Sequence, residues 1–254
     1  MAPGWKYAAA SVIGTSHLKT PDGECQDSNS CSWDEKRGLL VCAVSDGAGS
    51  AKHSAIASRL TCALAIELVN NAPDDAIGSR DLALDVVSQI RDALKRKAEE
   101  MGESVREFAC TLLLAAAKDS KVSFWQVGDG AICFRLRDES FYKYAFWPAK
   151  GEYANVTEFV TDANVLDEVA FDSFEAELVD LALFSDGLER LALDFKLGEA
   201  HSKFFMGLFP HLYQQPPGHL SEIEEKLSTF LASERVNSKT DDDKTLVLAT
   251  LEFE

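Results

Sequence analysis

The apolar positions change their spacing several times along the chain. Residues 5–14 (WKYAAASVIG) are rich in strand formers and end at a glycine. Residues 28–33 and 38–45 are short runs separated by Asp-Glu-Lys-Arg-Gly, the pattern of a hairpin. The second run, Leu39 to Val44, is apolar throughout and reads as a buried strand that stops at Ser45-Asp46-Gly47. From Ala51 to about Asn70, Ile56, Leu60, Ala63, Leu64 and Leu68 recur at helical spacing, and Asn70-Asn71-Ala72-Pro73 ends the helix. A second helix is predicted over 79–101, with Leu82, Val86, Ile90 and Leu94 at steps of four. Four strand-like runs follow at 109–117, 121–127, 131–137 and 141–147, spaced like an antiparallel meander. Residues 148–177 are mixed and carry no clear period. Residues 178–184 form another apolar strand ending at Ser185-Asp186-Gly187. Helical patterns return at about 198–213 and 219–234, and a last strand, Thr245 to Leu251, follows an acidic turn.

Strands and helices therefore come in blocks rather than in strict alternation. That order predicts a layered α+β architecture, not a parallel doubly wound sheet. The length of 254 residues fits one large domain, taken here as residues 1–254.

Charge narrows the function. The chain has 42 Asp+Glu against 25 Lys+Arg, a formal net charge of −17. Such a field repels nucleic acid and anionic membrane surfaces, so neither is an expected partner. No apolar run approaches the roughly 18 residues of a membrane span, and no secretory signal is visible at the N-terminus. The six cysteines form no CxxC pair, and Cys42, Cys62, Cys110 and Cys133 lie in apolar segments. This usage predicts a reduced, cytoplasmic protein. The five histidines show no zinc spacing.

The acids carry the candidate chemistry. Asp27 (CQDS), Asp46 (VSDGAGS), Asp129 (VGDGA), Asp186 (FSDGLER) and Asp242 (TDDDKT) stand at the ends of predicted strands. Taken singly, each Asp-Gly pair is explained as a tight turn. Taken together, carboxylates placed where buried strands emerge can converge at one rim of the sheets. Their repulsion then calls for cations among them, and hard oxygen ligands suit Mg²⁺ or Mn²⁺. Gly47 beside Asp46 leaves its carbonyl open to a metal. Two such ions about 4 Å apart can share a hydroxide and bind a phosphate.

At these residues the chain resembles the metal-dependent protein phosphatases of type 2C, in their small bacterial form. CQDS at 25–28 resembles the first acidic motif, and SDGAGS at 45–50 the Asp-Gly-x-Gly motif leading into a helix. ACTLLLAA and QVGDGAICFRL, between Ala109 and Leu136, resemble the Gly-Thr-Thr strand and the Val-Gly-Asp motif. LALFSDGLERL at 181–191 and DDDKTLVLA at 241–249 resemble the late Ser-Asp-Gly and final Asp motifs. All five occur in the family's order over nearly the whole chain.

The resemblance implies a four-layer α-β-β-α sandwich, two antiparallel sheets flanked by helix pairs, with two divalent cations, Mn²⁺ or Mg²⁺, at one end. Asp46 would bridge both ions, Gly47 would offer its carbonyl to one, Asp186 and Asp242 would hold the other, and Asp27 would act through metal-bound water. Asp27 and Asp46 are thus the expected catalytic residues. The implied reaction is in-line attack of a metal-bridging hydroxide on a phosphoserine or phosphothreonine monoester. The implied partners are a phosphoprotein substrate and a cognate Ser/Thr kinase, and residues 148–177 lie where the family carries a flap beside the site.

Three positions depart from the family pattern. The phosphate-clamping Arg five residues before the first Asp is Asp22, with Lys19 and His17 the nearby bases; a solvated loop lysine is the plainer reading of Lys19. The His of some Asp-Gly-x-Gly motifs is Ala48, while His53 reads as a packing residue. Asp129 matches one ligand of a third metal site, but its partner position is Arg190. The third site is therefore expected to be weak or absent, with Asp129 paired to Arg190. Glu189 is expected to point elsewhere. The competing readings are a catalytically weak or inactive phosphatase-like signalling or binding module, and an acidic scaffold whose Asp-Gly pairs are all turns.

Overall fold

The computed structural model describes residues 4–19, 23–148 and 157–251. Its strands and helices run in chain order as β1 (Trp5–Val12), β2 (Ser28–Asp34), β3 (Leu39–Ser45), α1 (Ser54–Asn71), α2 (Arg80–Met101), β4 (Leu112–Lys118), β5 (Lys121–Val127), β6 (Ala131–Leu136) and β7 (Lys143–Tyr144). There follow α3 (Val165–Glu168), β8 (Ala170–Glu175), β9 (Leu178–Phe184), α4 (Glu189–Ala192), β10 (Leu193–Asp194) and β11 (Glu199–Ala200). The chain closes with α5 (Ser202–Met206), α6 (Pro210–Tyr213), β12 (Gly218–His219), α7 (Ser221–Leu231), α8 (Glu234–Asn237) and β13 (Lys244–Leu251).

Two main sheets result, in the orders β2-β3-β4-β5-β8 and β12-β1-β13-β9-β6-β7. Neighbours are antiparallel, except that β12 joins β1 in parallel over two residue pairs. Period-two alternation sorts each central strand between two cores. On β3, Leu40, Cys42 and Val44 pack between the sheets with Leu113, Phe124, Leu183 and Val247. Leu39, Val41 and Ala43 face the other way, beneath α1 and α2, with Val86, Ile90 and Leu94. Phe184, Leu246 and Leu248 face a third core closed by Phe205, Phe209, Leu227 and Leu231. The layers are thus helices, sheet, sheet, helices. All seven residues of β3 are buried, which is why that strand reads as an unbroken apolar run.

α2 has the ends its sequence encodes: Ser79 Oγ accepts from the Leu82 amide, and Gly102 closes the helix at φ 68°. α1 differs from expectation. Its fully buried face is Ala57, Ser58, Thr61, Cys62, Ala65 and Val69, while Ile56, Leu60, Leu64 and Leu68 are only half-buried and Ala63 is exposed. Small side chains let the helix lie close on the sheet, so size rather than hydrophobicity selects the inward face. All six cysteines are free, and Cys42, Cys62, Cys110 and Cys133 are buried as small hydrophobes.

The four-run meander is corrected. β4 and β5 form a hairpin, but β6 leaves that sheet and pairs with β9 and β7 in the other. The crossing occurs at Gly128-Asp129-Gly130, whose glycines sit at φ 87° and 86°. The alternation of β6 suits either sheet, so its partner cannot be read from its own residues. The helix expected over 198–213 is broken into α5 and α6, where Gly207 follows one and Pro210 opens the other. α7 and α8 divide the pattern at 219–234, and β8 is a strand the sequence pattern did not reveal.

Candidate active site

Register places the candidate acids at one end of both sheets. Asp27 precedes β2 and Asp46 follows β3, where Ser28 pairs with Ser45. In the other sheet Ala131 and Leu246 both pair with Phe184, which puts Asp129, Asp186 and the turn before β13 side by side. The two sheets meet here through Ser185, whose Oγ donates to Asp27 Oδ2 at 2.6 Å and accepts from the Thr245 amide at 3.0 Å.

Asp46 is held through its backbone. The Asp46 amide donates to Thr111 Oγ1 (2.9 Å), the Thr111 amide donates to Asp46 O (2.8 Å), and Ser45 Oγ donates to Thr111 O (2.6 Å). Gly47 is packed so closely that a Cβ would lie 2.8 Å from Gln26 O and from Ser54 Cβ. At Gly187 a Cβ would lie 2.0 Å from Asp243 O, so the Ser-Asp-Gly turn can abut the last motif only without a side chain. These contacts explain Gly after Asp by close approach rather than by turn preference alone.

Electrostatics tie the acids into one group. Burial pushes the Asp46 carboxyl well above its ordinary value, and the charges of Asp27, Asp186 and Asp129 push it further. Asp186 is raised to about 6, first by burial and then by Asp129 and Asp242. Asp27 is raised to about 7, chiefly by burial, with the Ser185 hydrogen bond opposing and Asp243 adding repulsion. Asp242 is exposed at the rim, where its Oδ1 accepts from the Asp243 amide. Each of the five sequence-selected aspartates is therefore linked by charge to at least one other, through Asp46 or Asp186.

The donor set fits a hard divalent cation. Asp27 Oδ1 is buried and, among the described residues, has no hydrogen-bond partner; the same holds for Gln26 Oε1. A buried acceptor left this way, surrounded by mutually repelling carboxylates, is what a metal or metal-bound water satisfies. Among the described residues no three acid, imidazole or thiol groups converge tightly enough to hold an ion by themselves. Backbone carbonyls and water would have to complete each coordination shell, as is usual for Mg²⁺.

Several residues were missed or misplaced by sequence reasoning. Asp129 accepts from Thr157 Oγ1 at 3.0 Å, and no ion pair with Arg190 is present among the described residues. Arg190 is exposed, whereas the neighbouring Glu189 is buried and accepts from the Gly130 amide at 3.3 Å. The turn from the loop of Asp186–Leu188 into α4 swings position 189, not 190, towards the site. Thr157 and the Val160 amide, which donates to Cys110 O at 2.9 Å, bring the end of the expected flap to the site; residues 149–156 lie outside the described ones. Asp22 also lies outside them, and Lys19 is exposed. His53 packs on Phe108 (5.0 Å between ring centroids) and pairs with Glu103, as a packing residue does. Ser185, Thr111 and Asp243 were not singled out. The strand that follows is buried from Lys244 to Thr250, so no alternation in it marks Asp243 rather than Asp242 as the inward residue.

Residues 13–232 match the family model described as protein phosphatase 2C. Serine/threonine-protein phosphatase 3 of Escherichia coli (strain K12) is 34% identical over 250 residues, covering 96% of this chain and 98% of its own. The S. agalactiae serine/threonine phosphatase superposes with a TM-score of 0.66 at 19% identity, over 98% of this chain and 100% of that one. The catalytic domain of the serine/threonine phosphatase PstP, solved with two manganese ions, superposes with a TM-score of 0.63 at 18% identity, over 99% and 100%. At these identities the structural likenesses bear on the fold alone.

Proposed function

The chain belongs to the protein phosphatase 2C family, and from that premise we propose that it is a divalent-metal-dependent serine/threonine phosphoprotein phosphatase working at the aspartate cluster. The observation that carries this reading is the set of repelling carboxylates at the sheet ends, with Asp27 Oδ1 buried and unpartnered among the described residues. In the proposed assignment Asp46, the Gly47 carbonyl, Asp186 and Asp242 would hold the divalent ions, and Asp27 would contact metal-bound water. When bound, the ions supply Lewis-acid charge for the phosphoryl oxygens and an activated water.

The remaining work falls to the chain. Ser185 orients Asp27 by donating to one of its oxygens, which leaves the other available to a metal-bound water were the ions present. Thr111 clamps the Asp46 backbone from both sides, so the central carboxylate does not rearrange when substrate arrives. Burial removes bulk water that would screen these charges.

The finer assignments belong to the same proposal. The chain acts as one catalytic domain, supported by the full-length pairing of β1 with β13. A third metal site is weak: Asp129 is engaged by Thr157, and an arginine stands at the expected partner position. The protein works in the bacterial cytoplasm, in signalling, opposite a Ser/Thr kinase, with neither nucleic acid nor membrane as partner. In support, no helix of the described residues is long and apolar enough to cross a membrane, and the charge of −17 favours phosphosites set among basic residues. The retained aspartates speak against an inactive module. The test is hydrolysis of an aryl phosphate and of a phosphoserine peptide with Mn²⁺. Activity that survives complete chelation would refute the reading.

A further inference from the structure

A lysine ammonium taken into a core without a carboxylate partner costs free energy that something nearby must offset. Lys244 is such a residue. It opens β13, pairs with Val12 of β1 and is 0% exposed. Its Nζ donates to Asn237 Oδ1 at the end of α8 (2.9 Å) and to Ile13 O (3.5 Å). Both acceptors are neutral, and among the described residues no carboxylate lies within ion-pair distance of the ammonium. The stem packs on the Ser185-Asp186-Gly187 turn, where Cγ would lie 3.5 Å from a Cβ at Gly187.

The offset comes from the aspartate cluster. Asp243, the residue before Lys244, has its carboxylate fixed by other donors. Oδ1 accepts from the Gly14 amide at 2.6 Å and lies 3.0 Å from His17 Nδ1, and Oδ2 accepts from the Gln26 amide at 2.6 Å. The carboxylate is therefore held near the lysine without pairing to it. Burial pushes the Lys244 ammonium below its ordinary value, and the charges of Asp243, Asp242 and Asp27 act in the opposite direction. One cation thus lies behind the first and last acidic motifs, on the protein side, where substrate cannot reach it.

A fixed positive charge in that place has two opposed effects. In the metal-free protein it offsets the mutual repulsion of the carboxylates. When a divalent cation arrives, it competes with that cation for the same negative charge. The sign separates this role from a structural one. Removing an anchor loosens the ligands and weakens metal binding, whereas removing a counter-charge tightens it.

We propose that Lys244 is a built-in counter-charge, which offsets Asp27, Asp242 and Asp243 in the metal-free protein and lowers the affinity of the site for divalent cations. The proposal rests on the metal-phosphatase reading and deepens it by naming the residue that sets how tightly the metal is held.

The test compares wild type, Lys244→Met and Asn237→Asp as full-length, metal-stripped proteins titrated calorimetrically with Mn²⁺. Lys244→Met keeps an unbranched stem against Gly187 and removes the charge. Asn237→Asp, at a half-buried position, leaves the lysine in place and puts a carboxylate on its Nζ. In Lys244→Met the Mn²⁺ Kd is expected to fall about tenfold, the effect of one unit charge near a divalent ion in a medium between protein and water. The Mn²⁺-induced rise in Tm should grow with it. Asn237→Asp is expected to lower the Kd by a smaller factor. A Mn²⁺ Kd in Lys244→Met that is higher than that of wild type, or within twofold of it, overturns the proposal. If Lys244→Met does not fold, Asn237→Asp decides alone: a Kd more than twofold below wild type supports the proposal, and any other value overturns it. A wild type that binds Mn²⁺ but hydrolyses no phosphate monoester overturns the phosphatase reading instead, while the Kd comparison still decides the role of Lys244. Absence of Mn²⁺ binding in all three proteins overturns both.

Discussion

Removing one negative charge from the aspartate cluster is expected to stabilise the metal-free protein. Asp27 is 5% exposed, and its carboxyl is raised to about 7 from an ordinary 3.8. Because the folded state holds this proton more tightly than the unfolded chain, unfolding between those values releases a proton, and raising the pH favours unfolding. The stabilising contribution is fully present below about pH 4 and is lost as the pH rises through about 7. A displacement of roughly three pH steps, at about 1.4 kcal/mol each, amounts to about 4 kcal/mol. Asp46 and Asp186 share the same repulsions, so their contributions do not simply add to this figure. Asp27→Asn keeps an oxygen for Ser185 and removes the charge. At pH 8 in chelator it is expected to melt higher than wild type, on the order of 10 °C for a chain of this length. At pH 5 the gap should shrink to about 1–2 kcal/mol, closing only near pH 4. The assay is calorimetric unfolding in chelator from pH 5 to 8.5, repeated with Mn²⁺, where wild type should gain more than the variant. A variant less stable than wild type at pH 8, or a metal-free wild type that gains stability from pH 5 to 8, would refute the reasoning.

Other perturbations probe the site and the scaffold separately. Asp46→Ala and Asp186→Ala are each expected to abolish Mn²⁺-dependent hydrolysis, measured with an aryl phosphate; full activity in Asp46→Ala would defeat the metal assignment. Gly187→Ala places a Cβ 2.0 Å from Asp243 O and is expected to lower both Tm and activity, read by thermal unfolding and initial rates. Asp180 is fully buried and accepts from Arg135 Nε (2.8 Å), Tyr142 Oη (2.7 Å), Tyr213 Oη (3.0 Å) and Thr250 Oγ1 (2.8 Å). Asp180→Ala strands these donors and is expected to cost about 3–5 kcal/mol in urea unfolding.

Much of the scaffold was legible because local patterns agree with global burial. The apolar run from Leu39 to Val44 and the four-step spacing of Val86, Ile90 and Leu94 each have one structural solution at their length. The break between α5 and α6 was harder to see, since Phe205, Phe209 and Leu212 are all buried and keep a helical spacing across Gly207. β8 was hidden because it is an edge strand whose residues are half-buried or exposed, so no apolar run marks it. In α1 the large side chains drew attention to a face that the sheet does not take.

By itself the sequence determined the block order of the main strands and helices and the presence of aspartates at strand ends, because these follow from composition and short-range periodicity. Only the tertiary structure decided which sheet receives β6, which of Asp242 and Asp243 turns inward, and whether Glu189 or Arg190 faces Gly130. It also joined His17 to Asp243 across 226 positions. Each of these depends on register and on the meeting of distant segments, and a one-residue shift along a strand or a turn exchanges inside for outside without changing the local pattern.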